Sequence, residues 1–542
     1  MRTNTLLQAA ARPLITPKRS KASRVLPTRV TPTLNQLSAL STDQLLLTGG
    51  DARLAIDLET HVNKYGCGSH PDPNLVAFGS STGSTISLRG YNASHFLHQY
   101  LIRQQGRISE GELYRQELDR VRAEFQQLCG FTPQDNIATI FAASGTDLHL
   151  ICSQLLAESH DKPLRIIMMD ACETGSGVAP AVRGQHFSDH AALGGTVTAF
   201  NRIEDAYPIE VSSIALRHVD GSKRPLAAID AEVEVHITNA IANQQRVLLI
   251  MIDVSKTGLI APSPSYVAQL RQRYAEQVDV LVDACQFRVS TKTLAAYLDL
   301  GCMLTLTGSK FLTGPAFSGM LFIPPNLSAR LSQHPLPAAL ADYSAQAEWP
   351  EHWDGSQQLN DCANWGLLLR LEAALTEFKA FRAIPELHVS GFLQQFSSAV
   401  QDAIQASPHF SLMAERRIDR SPIVPRARAS WDQITTIFPF ILMHKKARPL
   451  SREQTQLIYQ QLQTTITDPT ILPTYLAELR GQLGQPVLCG TQHGVEVSAL
   501  RMCASSRVII EACEHGTESA REVIEKALNV LNKTAYLIKA LN

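Results

Sequence analysis

Two stretches that lie close together in the chain decide its fold: residues 278–286, VDVLVDACQ, and residues 303–315, MLTLTGSKFLTGP. Each begins with an apolar run of strand length, and a polar group follows the run, Asp283 in the first stretch and Lys310 in the second. A carboxylate at the end of so apolar a strand is costly without a charged partner, so Asp283 is expected to face a cation. The small residues beside Lys310 indicate a backbone that approaches a ligand closely.

Lys310 and Asp283 together have the chemistry of a pyridoxal phosphate site. A lysine amine forms a Schiff base with the cofactor, and a carboxylate beside the pyridine nitrogen keeps the ring protonated, so that the ring withdraws electrons from the substrate carbon. Thr307, just before the lysine, is placed to bond the phosphate. Neither Lys310 nor Asp283 alone would indicate this cofactor.

Two earlier turns carry weaker signals. Residues 143–147, ASGTD, follow a predicted strand and open a helix, so the backbone around Gly145 and Thr146 could hold a phosphate; a simple capped loop is the alternative. Residues 253–258, DVSKTG, form a second strand-to-turn junction, from which Ser255 could reach a ligand at the strand ends. An ordinary polar turn would look the same.

Predicted strands alternate with helical patterns through the middle of the chain. The strands are predicted at residues 137–142, 165–169, 247–253, 278–283, 303–307 and 318–323, and helices at 108–129 and 265–277. This alternation predicts an α/β fold whose large domain has a mostly parallel, helix-covered sheet. Ligands of such sheets bind at the carboxyl ends of the strands.

We divide the chain into five segments by these patterns. They are a basic, flexible N-terminal arm (1–45), an N-terminal segment that contributes to the substrate pocket (46–105), the large cofactor-binding domain (106–325), a connecting region (326–365) and a smaller C-terminal α+β domain (366–542). The first 42 residues contain no Asp or Glu, which is typical of a mitochondrial transit peptide and equally of a flexible basic arm.

Composition narrows the class of protein. The 542 residues carry a formal net charge of −1, which gives no reason to expect nucleic acid or an anionic membrane as partner, and no apolar run is long enough to predict a membrane span. The ten cysteines are scattered without zinc-type spacing, so we expect no metal site and reduced thiols in the cytoplasm. A transit peptide would instead place the protein in the mitochondrial matrix.

Four motifs follow one another in a fixed order: Ser-Gly-Thr (144–146), Ser-x-Thr-Gly (255–258), Asp-x-x-Gln (283–286) and Lys-x-x-x-Gly-Pro (310–315). This order resembles the fold type I pyridoxal phosphate enzymes, particularly the class V aminotransferase and cysteine desulfurase group. The resemblance covers residues 105 to 325 well and the C-terminal part more loosely. It implies an aspartate aminotransferase-like fold, an amino-acid substrate and a homodimer, with residues 349–365 as a candidate contact because they contain three tryptophans.

The resemblance also implies a role for each matching residue. The expected cofactor contacts are Gly145, Thr146 and Thr307 for the phosphate, Asp283 for the pyridine nitrogen, Ser255 and Gln286 for the ring oxygen, and Lys310 for the Schiff base. Arg501 is similar to the arginine that binds the substrate α-carboxylate, a role that suits a bidentate guanidinium. A surface strand arginine is the alternative for Arg501.

The chain departs from the family in two places, and a third position matches one subgroup only roughly. Where the family has a histidine that stacks on the cofactor ring, this chain has Thr174, with His186 and His190 as possible substitutes in the next loop. Ser309 stands where many relatives have histidine. Cys489 lies roughly where one desulfurase subgroup has its nucleophile, although a packed thiol is the alternative.

The sequence therefore predicts a pyridoxal phosphate enzyme that acts at the α-carbon of an amino acid, of the aminotransferase or C–S and β-elimination lyase type. The second hypothesis is a non-catalytic domain that keeps the fold as a ligand sensor or partner platform. A nucleotide-binding α/β protein is a third, but no Gly-x-Gly-x-x-Gly or P-loop motif supports it.

Overall fold

A computed structural model of the chain describes residues 24–25, 31–159, 162–203, 208–413, 418–425, 430–444, 448–466, 472–514 and 516–541. Most of the basic N-terminal arm, and with it the transit-peptide hypothesis, lies outside these residues. None of the helices in the described ranges combines the length and apolarity needed to cross a membrane.

The described part of residues 24–105 contains three short strands and two α-helices. In chain order these are β1 (Arg24–Val25), α1 (Thr42–Leu46), β2 (Ile56–Asp57), β3 (Leu75–Phe78) and α2 (Leu88–Arg103). A 3₁₀ helix at Leu34–Ala39 precedes α1, and Leu34, Leu37 and Leu45 are all buried. The prediction of a flexible arm up to residue 45 is therefore wrong for residues 34–45, because their leucines pack into the core.

The large sheet lies in the middle of the chain. Its strands are β4 (Ala138–Ala142), β5 (Leu164–Met169), β6 (Ile209–Ile214), β7 (Arg246–Asp253), β8 (Ile260–Ala261), β9 (Val278–Asp283), β10 (Met303–Thr307) and β11 (Gly319–Ile323). The strand order is β4-β11-β10-β9-β7-β5-β6, with β8 paired to β7. Strand β11 runs antiparallel to both its neighbours, whereas β10, β9, β7, β5 and β6 are mutually parallel.

Both faces of this sheet are buried. Along β5, Ile167 and Met169 belong to one apolar cluster, while Ile166 and Met168 belong to another. Successive side chains of a strand point to opposite faces, so a strand buried on both sides needs an uninterrupted apolar sequence. The helices of this region are α3 (Glu110–Leu128), α4 (Gly145–Glu158), α5 (Val178–Val182), α6 (Leu226–Ala242), α7 (Pro264–Arg273), α8 (Thr291–Asp299) and α9 (Pro325–Leu331).

The predicted entry helix at residues 108–129 is confirmed as α3. Ser109 caps its start, where the hydroxyl accepts a hydrogen bond from the Glu112 N–H. Gly130 follows its end with φ +88°, a left-handed conformation that glycine adopts without steric cost. The strands predicted at 278–283 and 303–307 are confirmed with the same bounds.

The C-terminal part is built on a second sheet. Its strands are β12 (Phe410–Leu412), β13 (Ile437–His444), β14 (Arg448–Pro449), β15 (Arg480–Gln492) and β16 (Val495–Cys503), and its helices are α10 (Trp365–Arg382), α11 (Glu386–Ala406), α12 (Arg452–Leu462), α13 (Thr474–Glu478), α14 (Ser506–Glu514) and α15 (Thr517–Ala540). The strand order is β12-β13-β16-β15-β3. Strand β3 of the N-terminal segment thus completes the C-terminal sheet, parallel to β15.

The tryptophans of the connecting region do not form an exposed contact surface. Trp349 and Trp353 are buried in one apolar cluster, and Trp365 packs edge-on against Tyr114 with ring centroids 5.4 Å apart. The folded chain itself covers these indole rings, and the contact of residues 349–365 with a second subunit stays a prediction.

Candidate cofactor and substrate site

A cavity of about 270 Å³ opens at the carboxyl ends of β4, β5, β7, β9 and β10. These ends meet at one edge of the sheet, where parallel topology places ligand sites. All the predicted site residues except Ser255 line it: Gly145, Thr146, Thr174, Asp283, Gln286, Thr307, Lys310 and Arg501.

The first wall of the cavity is the turn between β4 and α4. Ser144 caps the helix, since its hydroxyl accepts from the backbone N–H groups of Thr146 at 3.2 Å and Asp147 at 3.4 Å. A side chain at Gly145 would place its Cβ 2.8 Å from the Cys285 sulfur, so a larger residue at this point of the turn would force the sulfur or the turn to move. The start of the helix, where the helix dipole is positive, suits an anionic group such as a phosphate.

Arg53 completes this wall, and the sequence analysis did not find it. Its guanidinium donates to the Ser144 hydroxyl at 3.0 Å and to the Thr146 hydroxyl at 3.1 Å, and it pairs with Asp51 at 2.6 Å. The same group lies 4.8 Å from the ring centroid of Phe317. The half-buried guanidinium adds a positive charge beside the helix start, which favours an oxyanion there.

Asp147 does not repel an anion at this wall as strongly as its position suggests. Burial raises the pKa of its carboxyl to about 6, while the nearby Arg53 opposes that rise. The Ser144 hydroxyl also donates to the carboxylate. Its negative charge is therefore balanced within the turn.

Asp283 ends β9 and faces the cavity floor. Its Oδ1 accepts from the backbone N–H of Cys285 at 3.1 Å, and its Oδ2 lies 3.5 Å from Nε2 of His149. His149 lies on α4, one helical turn after Gly145, and its Nδ1 lies 2.6 Å from the Gly145 carbonyl oxygen. The carboxylate thus accepts one backbone hydrogen bond and lies beside the His149 ring, while its residue lines the cavity.

Lys310 follows β10 and is half-buried at the cavity wall. The hydroxyl of its neighbour Thr307 donates to the Cys285 carbonyl at 2.6 Å. The lone pairs of the hydroxyl oxygen can therefore still accept hydrogen bonds. Gln286 donates to the Ser81 carbonyl at 3.0 Å, and so ties the N-terminal segment to the site. Among the described residues, no hydrogen bond or ion pair occupies the Lys310 amine.

Ser255 is not where the sequence analysis expected it. Its hydroxyl donates to the carboxylate of Glu173 at 2.7 Å and does not line the cavity. Glu173 also accepts from the Thr257 hydroxyl at 2.7 Å and pairs with Arg217 at 2.8 Å. Burial raises the pKa of Glu173, but Arg217 and the two hydroxyls outweigh it and lower the pKa overall. The Ser255 hydroxyl therefore binds the buried Glu173 carboxylate. The next residue, Lys256, lines the cavity instead.

Arg501 lies on β16 and is 1% exposed, so it is not a surface arginine. Its guanidinium donates to the Thr82 hydroxyl at 2.9 Å and to the Gln485 carbonyl, and its Nε has no hydrogen-bond partner among the described residues. No carboxylate of the described residues lies within ion-pair distance of the Arg501 guanidinium. Burial lowers the pKa of Arg501, which reflects the cost of an uncompensated buried cation.

Three other residues considered from the sequence lie away from the cavity lining. The Cys489 thiol donates to the Val487 carbonyl at 3.1 Å, and burial raises its pKa to about 11, as befits a packed thiol. His186 stacks on Tyr343, with Nδ1 2.6 Å from the phenol oxygen. His190 belongs to the same loop. Neither histidine replaces the stacking group.

The polar groups left over at the cavity fit pyridoxal phosphate. The Thr174 hydroxyl and Arg501 Nε are buried without a hydrogen-bond partner in the part of the chain that the structure describes, and both residues line the cavity. Both groups are therefore available to hydrogen-bond a ligand in the cavity. The cavity offers an amine, a carboxylate and a positively charged wall that suits a phosphate. These are the three features that this cofactor requires.

No protein-family model and no curated protein sequence matches the chain. Solved structures do match. The complex between the cystine C-S lyase C-DES and its reaction product cysteine persulfide is 16% identical, with a TM-score of 0.50 over 84% of this chain and 98% of that chain. A mutant of C-DES with glycine covalently linked to the PLP cofactor is 16% identical, with a TM-score of 0.51 over 85% of this chain and 99% of that chain.

These likenesses span nearly the whole length of the matched chains, so they include both sheets and not the large domain alone. At such low identity they establish architecture. The chain therefore has the fold of the fold type I pyridoxal phosphate enzymes, with a mostly parallel large sheet and a smaller C-terminal α+β part.

Proposed function

We propose that the protein is a pyridoxal phosphate enzyme that acts at the α-carbon of an amino acid. One observation carries the proposal: Lys310, Asp283, the Ser144–Thr146 turn and Arg501 come from four separate parts of the chain and line one cavity. Structural requirements alone do not gather an amine, a carboxylate, an oxyanion wall and an uncompensated guanidinium in one cavity.

The residues that would hold the cofactor follow from the geometry. The turn at Gly145 and Thr146, with Arg53 beside it, would hold the phosphate, Asp283 the pyridine nitrogen and Lys310 the aldehyde carbon. When bound, the cofactor supplies an aldehyde that accepts the substrate amine and a ring that withdraws electrons from the α-carbon.

The chain's own groups then do the remaining work. The Arg501 guanidinium forks onto the substrate α-carboxylate and fixes the α-carbon in the cavity. Once the substrate amine has displaced it from the aldehyde carbon, the freed Lys310 amine would remove the proton from the α-carbon and return a proton later in the reaction. Asp283 would favour a protonated ring nitrogen, because its negative charge stabilises the cationic form.

The type of reaction is an aminotransfer or a C–S and β-elimination. The cystine C-S lyase with the matching architecture supports the second type. Cys489 is not proposed as a nucleophile, since its thiol is bonded to Val487 and lies outside the cavity lining. Decarboxylation is the reaction that we expect least, because Arg501 would bind the α-carboxylate that decarboxylation removes.

A homodimer and a cytoplasmic location are part of the same proposal. The dimer rests on the family resemblance, in which subunit interfaces complete the active sites. All ten cysteines are free, which supports a reducing compartment.

The test is incubation of the cofactor-loaded protein with single amino acids, including cysteine and cystine, each with and without 2-oxoglutarate as amino acceptor, followed by assays for the keto acid of that amino acid, ammonia and sulfide. Elimination releases ammonia together with the keto acid, whereas aminotransfer yields keto acid without ammonia. Lys310→Ala should abolish either product. Loaded protein that forms none of these products from any amino acid would contradict the proposal.

A further inference from the structure

Basic side chains dominate the charged groups that line the cavity. Five residues contribute them, namely Arg53, Lys64, Lys256, Lys310 and Arg501, against the two carboxylates of Glu173 and Asp283. Some of these charged side chains already have a partner of opposite charge in the protein. Only those without such a partner can indicate the charge of a ligand.

The carboxylates and two of the cations are already engaged. Arg53 pairs with Asp51, and Glu173 pairs with Arg217 outside the cavity lining. In the proposed function the cofactor engages Asp283 and Lys310. Lys64 is exposed at the rim, where water stabilises its charge.

Lys256 and Arg501 remain. No hydrogen-bond acceptor or carboxylate contacts the Lys256 ammonium among the described residues, and Arg501 donates only to neutral groups. Both belong to the same wall, since Arg501 donates to the Lys256 carbonyl at 3.4 Å. One substrate α-carboxylate compensates one of these two cations and leaves the other.

The backbone fixes the position of Lys256. Its N–H donates to the Glu173 carbonyl at 3.0 Å, and the hydroxyls on either side, of Ser255 and Thr257, both donate to the Glu173 carboxylate. The lysine is thus the centre residue of an anchored turn, and its side chain lines the cavity. A preorganised, partly buried ammonium of this kind suits an anion better than a mobile surface lysine does.

We propose that Lys256 binds a second carboxylate, carried by the side chain of the substrate, while Arg501 binds the α-carboxylate. The inference rests on the proposed function and narrows its substrate class to amino acids with an acidic side chain. Lys256 and Arg501, which no carboxylate of the described residues contacts, then have one substrate carboxylate each.

The test uses ligands without an amino group, so that it measures binding and not turnover. Succinate and its half-amide succinamate differ by one charge at nearly constant shape. Calorimetric titration of the protein loaded with pyridoxal phosphate, which fills the phosphate wall, should show succinate binding at least about tenfold more tightly. The wild-type comparison needs no variant.

Two variants locate the effect. Lys256→Met should reduce the succinate preference to about twofold or less, because it removes the charge and keeps the length of the side chain. Lys64→Met is the matched control, since it removes a lysine from the exposed rim and should leave the preference intact.

Equal affinity for succinate and succinamate, or a preference that survives Lys256→Met, would overturn the inference. These outcomes leave the proposed function standing, because that function fails only if the protein takes up no cofactor or turns over no amino acid.

Discussion

Nε2 of His149 lies 3.5 Å from Oδ2 of Asp283, and Nδ1 of the same ring lies 2.6 Å from the Gly145 carbonyl oxygen. The imidazole therefore links the turn proposed to hold the phosphate with the carboxylate proposed to hold the ring nitrogen. It is 1% exposed, and Nε2 has no hydrogen-bond partner within the described ranges. A rigid spacer of this kind fixes the distance between two groups that must bind the same small molecule.

The first prediction concerns this pair. Asp283→Asn should lower kcat/KM by roughly a hundredfold or more, because the amide keeps the shape of the carboxylate but not the charge that favours a protonated ring. His149→Leu should have a smaller effect, since it removes only the support. Steady-state kinetics at saturating cofactor measure both. Equal losses in the two variants would show that support and charge are not separable.

The second prediction concerns the packing of the phosphate turn. Gly145→Ala should prevent or strongly weaken cofactor binding, because its Cβ would lie 2.8 Å from the Cys285 sulfur and push the turn out of place. The double variant Gly145→Ala with Cys285→Ala removes the clashing sulfur and should recover much of the affinity. Cofactor dissociation constants by fluorescence titration decide this, and a double variant as weak as the single one would contradict the steric explanation.

The third prediction separates the positive charge of Arg53 from its ability to donate two hydrogen bonds at once. Arg53→Lys keeps a cation opposite Asp51 but cannot donate to the Ser144 and Thr146 hydroxyls together. Affinity for pyridoxal phosphate should fall about tenfold, while affinity for pyridoxal, which lacks the phosphate, should change little. An equal loss for both would mean that Arg53 supports the fold and does not contact phosphate.

The fourth prediction follows from the titration of Lys256. Burial lowers the pKa of its ammonium to about 8, as do Arg501 and Lys310, while Glu173 and Cys172 oppose the change. Only the ammonium attracts a carboxylate, so the succinate preference should be full below this pH. Above it, the preference should weaken by up to about tenfold per pH unit.

The affinity ratio of succinate to succinamate, measured from pH 6.5 to 9.5 (roughly 1.5 units either side of that pKa), tests this. The ratio cancels titrations that affect both ligands alike. A ratio that does not change with pH, or that rises with pH, would contradict the assignment.

Much of the site could be predicted from the sequence because its signals are local. The apolar runs that end at Asp283 and precede Lys310 mark strands whose ends define the ligand edge. The confirmed bounds of these strands follow from their abrupt change to polar and small residues. Carboxyl ends of parallel strands then meet by topology, without any knowledge of the contacts between them.

Other features depend on contacts that a single sequence does not reveal. Arg53 lies 91 residues before Ser144, and nothing in its own surroundings points to a phosphate turn. The assignment of Ser255 to the cavity failed because Glu173, from a different loop, captures its hydroxyl. His149 did carry a local signal, since its position four residues after Gly145 places both on one helix face.

The central claim is that Lys310 holds pyridoxal phosphate through its amine. The most direct measurement is the visible absorption spectrum of the protein and of Lys310→Ala after addition of the cofactor, followed by borohydride reduction and mass spectrometry of the peptide that contains residue 310. We predict a visible band in the wild-type protein and a reduced adduct on Lys310, with no adduct in the variant. No visible band in the wild-type protein, or an adduct on another lysine, would contradict the claim.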